Sequence, residues 1–232
     1  MQRTLTIALA LWSGIALALA ALLVLAHALP LQIGYYPALY LCVGLPIWRN
    51  RQRLARVLAQ WQLPRLPKFL LLGYGMVLIE EIFAALFNHL TEGFSLGLYI
   101  QRVGQFWALN LFAFTGFIIG WYLLQRWLRF AFAEVFFLAG LFGLFSEHTY
   151  TFLFANPILF LILAPLNIIT YGLIITPATL SMGTPARRTL HPLIRYPLAL
   201  LTIFACSLIP IGVLAVLRNH FPDAFPPRKF VP

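Results

Sequence analysis

The sequence predicts an all-α fold, a polytopic transmembrane helical bundle of about seven spans with a cytoplasmic N-terminus, and three observations carry that expectation. The chain is 62% hydrophobic with a mean hydropathy of +0.88, which excludes a water-soluble globular domain and makes lipid the solvent for most of it. Its apolar residues fall in continuous runs close to the ~20 residues a helix needs to cross a bilayer, without the two-residue alternation of a membrane barrel. Its 16 Lys and Arg, against 6 Asp and Glu, sit mostly in short polar connections between those runs.

The first span runs from about Leu5 to Ala28. Arg3, the apolar stretch and Ala26-His27-Ala28 have the outline of a secretory signal, but the stretch exceeds the ~7–15 apolar residues of such a segment, so the expectation is a retained span. The second covers Leu31–Trp48, the third Phe69–Leu90 and the fourth Gly104–Leu124. The fifth covers Phe132–Phe154, because TYTFLF resumes the apolar run after Glu147-His148-Thr149 and Asn156-Pro157 makes the better turn. Pro157–Leu180 and Pro197–Leu217 complete the set, so residues 1–217 read as one transmembrane domain. The remainder, residues 218–232, reads as an extended outer tail whose Phe221, Phe225 and Phe230 rest at the interface.

Orientation follows from charge. The connection from Arg49 to Lys68 also holds Arg51, Arg53, Arg56 and Arg65; Arg126 and Arg129 lie between spans four and five, and Arg187, Arg188 and Arg195 between six and seven. All three connections share a side, which the positive-inside rule makes cytoplasmic, with Arg102, Arg218, Arg228 and Lys229 as the smaller outer set. The expected location is a bacterial-type inner membrane. The basic residues bracket spans and form no single patch, so nucleic acid is not an expected partner. Between Arg51 and Trp61, Leu54, Val57, Leu58 and Trp61 share one helical face and Arg53, Arg56 and Gln60 another. Two readings are open there: a helix lying among anionic lipid headgroups, or a solvated basic loop that only sets topology. Cys42 and Cys206 read as a pair of buried thiols.

The acids are placed where they are expensive. Glu80, Glu81, Glu134 and Glu147 all fall within apolar segments, although a charge at the bilayer centre costs roughly 2.5–3.5 kcal/mol on insertion scales. At about 1.5 Å per residue, Glu80 and Glu81 lie roughly 17 Å into span three, Glu147 and His148 roughly 22 Å into span five, and Asn167 about 15 Å into span six from the opposite side. These five form a midplane layer. Glu134 lies outside it, near Arg126 and Arg129, where an interfacial ion pair is expected. Adjacent residues on a helix point about 100° apart. Glu81 shares a face with Tyr74 and Asn88 and is expected to meet a polar cavity, whereas Glu80, with Gly73, Ala84 and Phe87, is expected to be the more tightly packed. Gly140 and Gly143 invite close helix contact beside Glu147, and Thr170 and Tyr171 stay beside Asn167.

Buried carboxyls so placed can act as base and acid on a water attacking a carbonyl, or can pass a proton. A divalent metal is a further option, thinly supported by the one His of the layer, and no other cofactor is expected. The order of the Glu80-Glu81 pair, GLFGLFSEHTY and APLNIITYG is similar to the intramembrane glutamate-type protease superfamily, which includes the PrsW-like and CAAX-processing membrane proteases. The resemblance implies a hydrolase in which Glu80 or Glu81 activates water and Glu147 or His148 supports the oxyanion or a metal. At the third motif, Asn167 stands where that family has His; it can donate to an oxyanion but cannot titrate. The leading expectation is a peptidase-like hydrolase acting on a membrane-embedded substrate. The alternatives are a non-catalytic subunit or scaffold, in which these groups fasten helices and a partner helix, and a proton-linked carrier.

Overall fold

The computed structural model describes residues 2–91, 93–183, 189–222 and 225. Glu92, Arg187, Arg188, Asp223, Arg228, Lys229 and Phe230 lie outside the described residues. Among the described residues the chain is helical, with no strand. Its helices are α1 (Gln2–Leu25), α2 (Tyr35–Leu39), α3 (Leu45–Gln60), α4 (Arg65–Leu90), α5 (Leu96–Trp127), α6 (Phe132–Ser146), α7 (Phe152–Ala155), α8 (Pro157–Ser181) and α9 (Pro192–His220). Five of them, α1, α4, α5, α8 and α9, are long and apolar enough to cross a membrane.

The other two expected spans are interrupted. The second consists of a 3₁₀ turn (Leu31–Gly34), α2, a π turn (Tyr40–Gly44) and α3. Pro46, in the first turn of α3, has no N–H for the carbonyl four residues back, and its ring would clash with that carbonyl. Widening the ladder to π spacing just before it relieves both problems. Because α3 runs on to Gln60, the basic segment is the end of this helix; Lys68 donates to the Leu58 carbonyl near its C-terminus at 3.1 Å. The fifth span is corrected. It is not one helix, because α6 stops at Ser146 and His148 adopts a left-handed conformation (φ 55°) before a 3₁₀ turn at Thr149–Thr151 and the short α7. The tail begins later than expected, since Arg218 to His220 belong to α9; Phe225 folds back with its ring edge-on to Phe112 of α5. Cys42 is exposed on the protein surface and only Cys206 is partly covered, which corrects the buried pair.

Helix α8 is the hub. It touches α1, α3, α4, α6 and α7, and every residue from Ala164 to Ala178 is buried. Its Pro165 leaves the Leu161 carbonyl without an intrahelical donor, and the Trp12 indole of α1 donates to that carbonyl at 2.9 Å. Where lipid is as apolar as the side chains, small residues that let helices approach replace the hydrophobic effect as the organising force. A Cβ on Gly140 would lie 2.6 Å from the Ile168 Cα of α8, and one on Gly143 would strike the Tyr171 ring. Glycine is therefore required where α6 meets α8.

Candidate functional site

The polar groups of α2, α4, α6 and α8 converge. On α8, Asn167 and Tyr171 are four residues apart and so lie on one face. The Asn167 amide nitrogen donates to Thr149 Oγ1, and its Oδ1 accepts from the Tyr36 hydroxyl at 2.9 Å, which fixes the amide's orientation. The Tyr171 hydroxyl donates to Glu147 Oε1 at 2.7 Å and accepts from Ser146 Oγ at 2.7 Å. Its ring is stacked on Phe114 and set edge-on to Phe117, so the phenol is aimed by apolar packing. Gly143 makes room for that ring. The early end of α6 matters as much, because the reversal at His148 puts Glu147 and Thr149 on either side of it, both within reach of α8.

Tyr35 and Tyr36 supply the fourth wall. Their rings lie 4.0 Å apart, and Tyr35 is within electrostatic reach of Glu80 of α4 and Glu147 at the end of α6. Glu80, Thr149, Asn167 and Tyr171 are buried, whereas Tyr35, Tyr36, Ser146 and Glu147 are half-buried.

Of the five residues singled out from the sequence, Glu80, Glu147 and Asn167 share this cluster. Glu81 turns to α5, where Asn110 donates to its Oε1 in a seam with the Tyr74–Thr115 hydroxyl pair. Of the polar stripe expected for Glu81, Tyr74 and Asn88, the first two lie in this seam, whereas Asn88 is exposed and donates to the Ala84 carbonyl of its own helix at 2.9 Å; the carboxyl on the tyrosine side is Glu80. His148 contributes its backbone turn; its side chain is exposed, with its ring beside Tyr150. Tyr35, Tyr36, Ser146, Thr149 and Asn110 were not legible as site residues. The signal was slight: adjacent tyrosines before Pro37, and a lone Asn in an apolar run.

Glu134 is buried at the start of α6, and its expected partners are corrected. Its carboxylate is ion-paired with Arg195 of α9, accepts from the Tyr196 hydroxyl at 2.7 Å, and takes the Ala131 N–H at 2.7 Å. Arg195 in turn donates to the Arg129 carbonyl at 2.7 Å, so Arg129 enters through its backbone.

Chemically, the α2/α4/α6/α8 cluster offers two carboxyls and several hydroxyls. Each hydroxyl can donate or accept, so a proton can sit at more than one position without leaving a buried group unsatisfied. As metal donors, Glu80 and Glu147 are hard oxygen ligands of the type that suits magnesium, calcium or manganese. Among the described residues no group of three His, Cys, Asp or Glu is placed to hold a metal ion. No family model matches the chain, and neither a curated protein nor a solved structure matches it significantly.

Proposed function

We propose that this protein is a polytopic membrane enzyme in which Glu80 and Glu147 form an acid–base couple for hydrolysis of a membrane-embedded, peptide-like substrate. The observation that carries this reading is the hydrogen-bonded grouping on one face of α8, where Tyr171 joins Glu147 to Ser146 and Asn167 joins Thr149 to Tyr36, with Glu80 within electrostatic reach of Tyr35. In this reading Glu80 takes a proton from the attacking water. Glu147, positioned by Tyr171 and protonated at the start, gives its own proton to the leaving group, and the proton taken by Glu80 passes back to Glu147 as the products leave. The second N–H of the Asn167 amide, whose first is given to Thr149, is the donor for a developing oxyanion. The similarity to glutamate-type intramembrane proteases belongs to the same reading, with Glu80 as the first-motif acid and Glu147 as the second.

The test is complementation of a strain lacking the gene. Glu80→Gln and Glu147→Gln keep shape and hydrogen bonding but lose the titrating proton, so each is expected to abolish rescue at near-normal abundance and thermal stability. Full rescue by the double variant would overturn both the hydrolase and the proton-carrier versions. The seam of Glu81 with Asn110 favours a second, structural role for that residue alone, in which Glu81→Gln still rescues.

The same proposal includes seven crossings and a cytoplasmic N-terminus in a bacterial-type inner membrane, supported by the basic residues at Arg49–Lys68 and at Arg126 and Arg129. In a background lacking Cys42 and Cys206, single cysteines beside Arg53 and Arg126 are expected to resist an impermeant thiol reagent in intact cells, and one beside Phe225 to react. The reverse pattern would invert the topology.

A further inference from the structure

Helices α5 and α9 make the most extensive helix–helix contact among the described residues. They pass closest where Gly116 faces the Ser207 backbone and Gly120 faces Ile203, where an added Cβ would lie 2.9 Å from the Ile203 Cα. This pairing makes the helices antiparallel. Further toward the end of α5 and the start of α9 the facing residues are large, and a groove of about 260 Å³ opens, lined by Leu123, Leu124, Trp127, Leu128, Leu198 and Thr202. That volume is below the ~300–1,000 Å³ usual for a drug-sized ligand, and the walls are apolar, so it suits part of one hydrocarbon chain.

Charge identifies what that chain belongs to. Arg126 and Arg129 are both exposed at this end of α5, and Leu123, Arg126 and Trp127 fall on one face at three- and four-residue spacing. The acid near this end, Glu134, is already neutralised by Arg195. Exposed Trp127 is a residue type that anchors at the headgroup level. We infer that the α5–α9 groove is a binding site for a single anionic phospholipid, its acyl chain against Leu123, Trp127 and Leu198 and its phosphate at Arg126 and Arg129. This site is separate from the basic segment at the end of α3, and it stands whether or not the carboxyl cluster is catalytic.

The test reconstitutes the full chain in nanodiscs of equal phosphatidylglycerol and phosphatidylcholine and counts retained lipid by native mass spectrometry after detergent extraction. The wild type is expected to retain phosphatidylglycerol several-fold over phosphatidylcholine. Arg126→Gln/Arg129→Gln, which leaves the Arg129 carbonyl to Arg195, should remove that preference, and filling the groove with Thr202→Trp should reduce retention of both lipids. Leu123→Trp fills it from the opposite wall if Thr202→Trp does not fold. An unchanged preference in the arginine double variant would overturn the site. So would unchanged retention with the groove filled, or loss of the preference on neutralising Arg49, Arg51, Arg53 and Arg56 instead.

Discussion

The two ends of α6 each carry a glutamate, and they are held in opposite ways. Glu134 sits in the first turn, where unsatisfied N–H groups and the helix dipole favour an anion, and it meets a guanidinium, a phenol and a backbone N–H. Glu147 closes the last turn, about 20 Å away by helix rise, where carbonyls face it, and it takes the hydroxyl of Tyr171. An acid locked to arginine keeps its geometry. An acid that accepts from a phenol, itself accepting from Ser146, belongs to a chain of hydroxyls whose hydrogen bonds can reverse direction. Under the proposed function, the difference separates a fastening from a working group at the two ends of one helix of fifteen residues.

The largest expected effect lies at the fastening. Arg195→Met leaves Glu134 buried beside Tyr196 without its cation and should cost about 3–5 kcal/mol in equilibrium unfolding, whereas adding Glu134→Leu should restore most of that loss. If the single and double variants were equally unstable, the ion pair would not be what holds α6 to α9. Next in size is Gly143→Ala. Its methyl group collides with the Tyr171 ring, so a loss of about 1–3 kcal/mol is expected, with complementation failing as the phenol is displaced from Glu147.

Tyr171→Phe and Tyr196→Phe compare the two ends most directly, since each removes one hydroxyl from one glutamate. Both should cost about 1 kcal/mol of stability, but only Tyr171→Phe should impair complementation. Equal function in the two would erase the distinction drawn between the glutamates. The smallest effect is expected at the α4–α5 seam, where Asn110→Leu should change stability by about 0.6 kcal/mol, the average of measured intramembrane polar contacts. A loss several times larger would make this seam a principal fastening, and failed complementation at unchanged stability would move Glu81 from fastening to function.

The regions where sequence and structure agree share a cause. The third, fourth, sixth and seventh expected spans each fall within one helix, α4, α5, α8 and α9, because a long uninterrupted apolar run leaves the backbone no other way to satisfy itself in lipid. The break at Glu147-His148 was passed over because apolar residues resume after it, and hydropathy does not register a reversal that three polar residues make with their backbone. Glycines at 140 and 143 correctly marked the approach of α6 to α8. Gly116 and Gly120, which set α5 against α9, stand four residues apart, the small-xxx-small signal for helix packing, but nothing beside them marked a site.

The sequence by itself determined that the chain is helical and suited to lipid, and which few acids are buried in it. These follow from transfer energies and backbone rules that act residue by residue. Only the tertiary structure decided that Glu80 lies on the side of Tyr35 while Glu81 meets Asn110, that Glu134 pairs with Arg195 across the bundle, and that Tyr171 reaches Glu147. Adjacent residues on one helix diverge by about 100°, so the neighbour each side chain meets depends on how far the helix rotates in its packing. That rotation is set by glycine contacts and proline breaks on other helices, far away along the chain.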